Sequence, residues 1–255
     1  MGNIILKKEG HIAVLSVVRP EALNALSRDI VDEIGKMLEA VQKDRDIYCL
    51  IFHSDKNFAA GADIKKMAEC DETEAKAFCF NPVFDKIGEF PIPTIAAIEG
   101  YALGGGMELA LCADIRIADR SAKMGFPEVS LGIFPGAGGT IRMPRLIGIS
   151  HAMELIFSAE QITAERAAEI GLVNHVVEEG QSLDAAKALA NRIAKRGPVA
   201  VRMAKDVIIK GCQMERVTDG TKYESEQWAK LFQTYDQKEG MRAFMERRKP
   251  VFENR

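Results

Sequence analysis

Short apolar runs alternate with segments of helical periodicity through the first half of this chain. Runs with the length and composition of β-strands lie at residues 12–18, 48–52, 94–98 and 115–118. Helices are predicted between them, one capped by Ser27 and others at residues 73–87 and 107–112. Strands separated by helices predict parallel strands joined by crossover helices, which places the chain in the α/β class.

The second half of the chain is mostly helical. Helices are predicted near residues 138–147, 150–158, 163–169, 182–195, 198–210, 215–232 and 236–247, with one late strand at 173–177. The last helices carry apolar positions such as Phe232, Met241 and Phe244, so they should pack on the chain's own core or on a neighbouring subunit. We therefore divide the chain into a core with the active site, residues 1–195, and a helical oligomerisation region, residues 196–255.

Composition excludes several classes of protein. The 255 residues carry a formal net charge of −3, whereas a dedicated nucleic-acid binder usually has a basic excess. No apolar run reaches the length of a membrane span, and the first eight residues lack the order of a signal peptide. Five cysteines without Cys-x-x-Cys spacing indicate reduced thiols and a cytoplasmic protein, and four dispersed histidines predict no metal site.

A glycine-rich turn leads into the predicted helix at residues 107–112. Residues 104–106 are all glycine, which lets a ligand approach the unpaired N–H groups of a helix N-terminus. Glu108 follows in the first helical turn, and the apolar run after it suggests that its carboxylate is buried. A buried carboxylate has a raised pKa, which suits proton transfer near neutral pH.

A second acid and a second glycine-rich segment follow. Glu128 comes directly after Pro127 and follows a short strand-like piece at residues 123–125. Residues 135–140 form another glycine-rich start of a helix. Taken singly, each feature also fits a plain turn, a surface glutamate or a glutamate that stabilises a helix dipole. Together, two carboxylates beside side-chain-poor backbone suit acid–base chemistry next to a carbonyl whose oxygen is held by N–H groups. A Rossmann glycine pattern, a P-loop and a Gly-x-Ser-x-Gly elbow are absent from the sequence.

The order of these motifs resembles the crotonase, or enoyl-CoA hydratase/isomerase, superfamily. The matching segments are residues 19–26, 58–64, 100–110, 112–114, 125–129, 135–140, 171–174 and 244–249. The resemblance covers nearly the whole chain. It implies a spiral of ββα units with a helical C-terminal trimerisation region, assembled as a homotrimer or a dimer of trimers.

The resemblance also implies a substrate and a set of catalytic groups. The substrate is an acyl-CoA thioester, so no separate cofactor is expected. Backbone N–H groups of Ala62 and Gly105 hold the thioester oxygen in the family pattern. Glu108 matches the residue that activates water, Glu128 matches the residue that exchanges the Cα proton, and Gly136 helps to place the water through its backbone.

Further positions match substrate contacts of the family. They are Ala22, Ala60, Ala62, Asp63, Ile64, Lys65, Gly105, Phe126, Phe134, Phe244 and Arg247. Phe126 and Phe134 stand where smaller or polar residues are common. If their rings face the acyl group, they favour a small or flat one.

Glutamate at both catalytic positions resembles the 2-enoyl-CoA hydratases in particular. An alternative is a relative with other CoA-thioester chemistry, such as a cyclic dienoyl-CoA hydratase, an enoyl-CoA isomerase or a carnitinyl-CoA dehydratase. A non-catalytic role such as RNA binding is a third hypothesis, which the acidic net charge and the intact pair of acids disfavour.

Overall fold

Nine strands form two sheets in a computed structural model that describes residues 3–255, apart from the side chain of Lys66. The strands are β1 Ile4–Glu9, β2 Ile12–Val17, β3 Cys49–His53, β4 Thr94–Ile98, β5 Tyr101–Leu103, β6 Ile115–Asp119, β7 Lys123–Gly125, β8 Gln161–Thr163 and β9 His175–Val177. The larger sheet has the order β1-β2-β3-β4-β6-β9, and the smaller has the order β5-β7-β8.

Twelve α-helices accompany the strands among the described residues. They are α1 Arg28–Lys43, α2 Ile64–Met67, α3 Glu72–Phe78, α4 Asn81–Gly88, α5 Gly105–Cys112, α6 Gly139–Ile147, α7 Ile149–Ser158, α8 Ala164–Glu169, α9 Ser182–Ala194, α10 Pro198–Gly211, α11 Val217–Leu231 and α12 Tyr235–Met245. Among the helices found here, none is both long enough and apolar enough to cross a membrane.

Five strands of the large sheet, β2, β3, β4, β6 and β9, run parallel, which confirms the predicted topology. Every residue of β3 and β4 is buried. Such continuous apolar strands are typical of a parallel sheet that is covered on both faces. Helix α9 covers one face with Ala186 and Ala190, while α1 and α4 belong to the larger core on the other face.

The predicted helix at residues 73–87 is wrong, because the chain breaks it into α3 and α4. Pro82 lies in the first turn of α4, where its missing N–H costs nothing. In the middle of a longer helix, the same proline would clash with the preceding turn. The break turns Phe78, Cys79 and Phe80 towards a cavity instead of along a continuous helix face.

Three short strands were missing from the sequence-based prediction: β1, β5 and β8. β5 and β8 have only three residues each, too few to show an alternating pattern. Pairing of β5 with β7 and of β7 with β8 nevertheless fixes the direction in which the chain leaves Leu103 and enters α5. The small sheet therefore positions the glycine-rich turn at residues 104–106.

Candidate active site

A cavity of about 630 Å³ lies at the N-terminus of α5. Its walls come from residues 60–62, 64 and 67, from members of the segment 72–80 around the break between α3 and α4, from residues 104, 105 and 108, and from members of the segment 127–137. The volume is in the range of small-molecule sites, and most of the wall is apolar. All five predicted catalytic residues, Ala62, Gly105, Glu108, Glu128 and Gly136, line this one cavity.

Glu108 is held by two backbone donors at one carboxylate oxygen. The N–H groups of Ala137 and Gly139 donate to Oε1 at 2.7 and 2.9 Å. The side chain is buried, and burial raises the pKa of Glu108, while the two N–H donors and the charge of Arg142 act in the opposite direction. The carboxylate is thus oriented by the loop that begins at Gly136.

Glu128 has a different environment. It begins a short 3₁₀ turn, Glu128–Leu131, and its Oε2 is buried without a hydrogen-bond partner in the part of the chain that is described. Burial raises the pKa of Glu128, a hydrogen bond from its own backbone N–H lowers it, and the charge of Glu108 raises it, which together give a pKa of about 7. A carboxyl group with a pKa near 7 can both donate and accept a proton at neutral pH.

Gly104 leaves the space that Glu128 occupies. A Cβ atom at residue 104 would lie 2.7 Å from Oε1 of Glu128, and φ of Gly104 is +49°. A side chain here would be strained and would also displace the carboxylate. The glycine therefore allows Glu128 to approach the start of α5.

Ala62 and Gly105 bring two N–H groups close together. A Cβ atom at Gly105 would lie 3.6 Å from the Ala62 nitrogen, so the two backbones are neighbours. Gly105 is the first residue of α5, where N–H groups lack a partner within the helix.

The direction of the Ala62 N–H follows from a parallel bridge. The Leu26 N–H donates to the Gly61 carbonyl and the Asp63 N–H donates to the Leu26 carbonyl. In a parallel pair, this pattern turns the N–H of the residue between, Ala62, away from the Leu26 segment. Among the described residues, the Ala62 N–H donates to no backbone or side-chain acceptor. Two free donors thus lie beside the cavity, an arrangement that suits the binding of an oxyanion.

Gly136 is exposed on the cavity wall, and its backbone N–H is unpaired among the described residues. Within residues 3–255, the Gly136 N–H donates to no acceptor, while its carbonyl accepts from Asn81 Nδ2 at 3.2 Å. The N–H is therefore available to a small polar group in the cavity.

The predicted substrate contacts divide into two groups. Besides Ala62 and Gly105, the cavity wall includes Ala60, Ile64 and Phe134. The wall does not include Ala22, Asp63, Lys65, Phe126, Phe244 or Arg247. Asp63 instead pairs with Arg19 at 3.1 Å and holds the segment beside Ala62.

Phe126 does not face the cavity as expected. Its ring is fully buried, and a Cβ atom at Gly139 would lie 2.9 Å from it. It packs under the start of α6 and supports the loop that binds Glu108. Phe134, by contrast, is 67% exposed and stands on the cavity wall. The sequence did not identify Phe78, Cys79 and Phe80 as wall residues, because the helix break that turns them inward was not predicted.

A buried carboxyl group and a half-buried one beside two free N–H donors suit an enzyme that moves protons next to a carbonyl group. Comparison with known proteins specifies the class. The profile of the enoyl-CoA hydratase/isomerase family matches residues 7–255. The chain belongs to this family.

Individual relatives resemble the chain over its full length. It is 44% identical to the short-chain-enoyl-CoA hydratase of Clostridium acetobutylicum, over 100% of this chain and 99% of the relative. It is 45% identical to the crotonyl-CoA hydratase of Syntrophomonas wolfei, over 98% and 97%. The crystal structure of the enoyl-CoA hydratase from Bacillus anthracis superposes with a TM-score of 0.96 at 37% identity, covering 100% of both chains. The predicted crotonase fold is thereby confirmed.

Proposed function

We propose that this chain is a hydro-lyase that adds water reversibly across the 2,3 double bond of short 2-enoyl-CoA thioesters. One observation carries the proposal: two glutamates from separate segments, both with raised pKa values, face a single apolar cavity beside two free N–H donors. The two relatives named short-chain-enoyl-CoA hydratase and crotonyl-CoA hydratase support the reaction and the substrate class.

In the proposed mechanism, the thioester oxygen accepts hydrogen bonds from the N–H groups of Ala62 and Gly105. These donors stabilise the enolate that forms when water adds at C3, by several kcal/mol in comparable sites. Glu108 takes a proton from the water, whose oxygen also faces the Gly136 N–H. Glu128 gives its proton to C2. The chemistry uses these groups and needs no cofactor besides the CoA of the substrate.

Aromatic side chains support a preference for short or flat acyl groups. Phe78, Phe80 and Phe134 stand on the cavity wall, and the rings of Phe78 and Phe80 lie 5.3 Å apart. Rigid rings of this kind offer a planar apolar surface and limit the room for a long flexible chain. Phe126 has no part in this preference.

We place the enzyme in the cytoplasm as a homotrimer or a dimer of trimers. All five cysteines are free thiols, which fits a reducing compartment. Helix α11 buries none of its residues within the chain, and large apolar side chains on the last helices, including Trp228 and Phe244, are exposed. Such helices need a covering surface, which a second copy can supply. Phe244 and Arg247 lie outside the cavity of their own chain. In the assembly they contact the nucleotide of a CoA that is bound to a neighbouring copy.

The test is hydration of crotonyl-CoA by the wild type and by Glu108→Gln and Glu128→Gln. General acid–base groups contribute about 10²–10⁴-fold each, so either variant should lose at least about 100-fold in kcat. Glu179→Gln, a change of the same kind in the exposed turn between β9 and α9, should keep wild-type turnover. Near-wild-type turnover by either active-site variant contradicts the assignment. Decenoyl-CoA in the same assay should give a lower kcat/KM than crotonyl-CoA.

A further inference from the structure

The peptide that joins Gly136 to Ala137 is held at both ends by side chains. Its N–H, from Ala137, donates to Glu108 Oε1 at 2.7 Å, and its carbonyl, from Gly136, accepts from Asn81 Nδ2 at 3.2 Å. A trans peptide is planar, with its N–H and C=O on opposite sides, so any rotation changes both hydrogen bonds. Asn81 and Glu108 are therefore connected through one rigid group.

Packing alone does not fix this peptide. Gly136 has no side chain, and a Cβ atom added there would find no atom nearer than the Phe134 carbonyl oxygen at 3.9 Å. The Cys79 thiol also lies near the Gly136 carbonyl, at 3.9 Å, but a thiol is a weak donor. The Asn81 amide is the stronger restraint on the Gly136 side.

Helix α4 supplies a second contact to the same loop. Asp85, one turn after Asn81, pairs with Arg142, and Arg142 Nη1 donates to the Ala137 carbonyl at 3.0 Å. Residues four apart lie on the same helix face. One face of α4 thus holds two successive peptides of the loop that orients Glu108.

The Asn81 amide keeps this contact at a cost. Its Oδ1 is buried and has no hydrogen-bond partner among residues 3–255. An unpaired buried oxygen of this kind is destabilising, because it has lost its hydrogen bonds to water. Asn81 does not line the cavity, so its part is not direct contact with the substrate.

We propose that Asn81 is a positioning residue for the hydration reaction. Its amide fixes the Gly136–Ala137 peptide, so that Ala137 donates to Glu108 and the Gly136 N–H faces the attacking water. This role rests on the proposed function, because it acts through the residue that activates the water.

The role has a consequence for the ionisation of Glu108. The titratable and charged groups around Glu108 are Glu128, Arg142 on α6, Asp85 on α4 and Cys112, whose thiol donates to the Glu108 carbonyl. Donation from Ala137 lowers the pKa of Glu108 against the opposite effect of burial. Weakening that donation raises the pKa, so the acid limb of the rate profile should move to higher pH.

The experiment compares Asn81→Leu, which removes the donor at similar volume, with the wild type. Hydration of crotonyl-CoA is followed from about pH 5 to pH 9. We expect kcat to fall by about 10–100-fold, as for small misplacements of a catalytic group, with KM within about threefold. The acid limb of the kcat profile should move to higher pH. Asn191→Leu is the matched control, because Asn191 Nδ2 donates to the Lys187 carbonyl on the exposed face of α9.

Two results would overturn the role of Asn81. One is an Asn81→Leu variant with wild-type kcat and an unmoved acid limb. The other is a lower kcat with an unmoved acid limb, which indicates a purely structural contribution. If Asn81→Leu does not fold, the isosteric Asn81→Asp, whose carboxylate faces the Gly136 carbonyl, decides by the same two readouts. A wild type that hydrates no enoyl-CoA refutes the proposed function before any variant is compared.

Discussion

The two carboxylates of the candidate active site differ because the backbone around them differs. Glu108 receives two N–H donors, whereas the Oε2 of Glu128 is buried without a partner among the described residues. Hydrogen bonds to a carboxylate favour its charged form, and burial without them favours the neutral form. In the resting enzyme near pH 7, Glu108 is therefore the better base and Glu128 the better acid.

This difference predicts the pH dependence of the reaction. In the proposed mechanism, hydration starts with Glu108 ionised and Glu128 protonated. It ends with Glu108 protonated and Glu128 ionised, so the active pair holds one proton in both directions. Loss of that proton should lower kcat/KM as pH rises through about 7, the pKa of Glu128.

Initial rates with crotonyl-CoA and with its hydrated product, measured across this range, check the prediction. Both directions should share the alkaline limb, because they use the same singly protonated pair. A kcat/KM that stays constant through this range in either direction would contradict it.

At the residue scale, the sequence predicts the cavity position of residues that belong to a recognisable motif. Glu108, Glu128 and the glycine-rich turns all line the cavity, as expected from their order in the chain. Phe126 and Asn81 were not predictable, because the direction of a ring or an amide depends on which element packs beneath it. Phe126 lies under Gly139, and Asn81 reaches Gly136 across a gap of 55 residues in sequence.

At the element scale, the helix break before α4 determines the cavity wall. The periodicity of residues 73–87 predicted one helix, but Pro82 requires a new start. The short α3 that results has no buried residue, yet its Ala75 and Phe78 line the cavity. Helices of seven residues are marginal without other support, so its capping is important.

Asp71→Ala should weaken α3 and substrate binding together. Asp71 Oδ1 accepts from the Glu74 N–H at 2.8 Å, and Glu74 Oε2 accepts from the Asp71 N–H at 3.0 Å. Loss of such a cap destabilises a helix by about 1 kcal/mol. We expect faster hydrogen exchange at residues 72–78 and a KM for crotonyl-CoA raised about fivefold, with kcat little changed.

The control is Thr163→Ala, which removes the side-chain cap of α8 outside the cavity. It should affect exchange at α8 but leave the KM unchanged. Faster exchange at α3 with an unchanged KM for Asp71→Ala would show that α3 contributes nothing to substrate binding.

At the scale of the whole molecule, the parallel sheet was predictable and the assembly was not. Apolar strands and periodic helices are local patterns, which is why β3, β4 and β6 were found nearly to the residue. The partner of an exposed helix face is not a local property. The division of the chain near residue 195 stays a prediction, although Lys205 of α10 pairs with Asp114 of the core at 2.7 Å.

The last three helices should hold the assembly together. Large apolar side chains on these helices are exposed to water in the single chain, which favours association. They are Ile208, Val217, Trp228, Met241, Phe244 and Met245. Sedimentation of the full chain should give a mass of three or six times 28.1 kDa. A chain cut after Lys195 should sediment as a monomer or aggregate, because the core loses its means of association.

Should the cut chain aggregate, Trp228→Glu in the full chain is the milder test, since α11 buries no residue and its fold tolerates the change. It should shift the assembly towards monomers, whereas Thr221→Glu, a polar exposed position on the same helix, should not. A monomeric wild type, or a cut chain that stays trimeric and active, would contradict assembly through these helices.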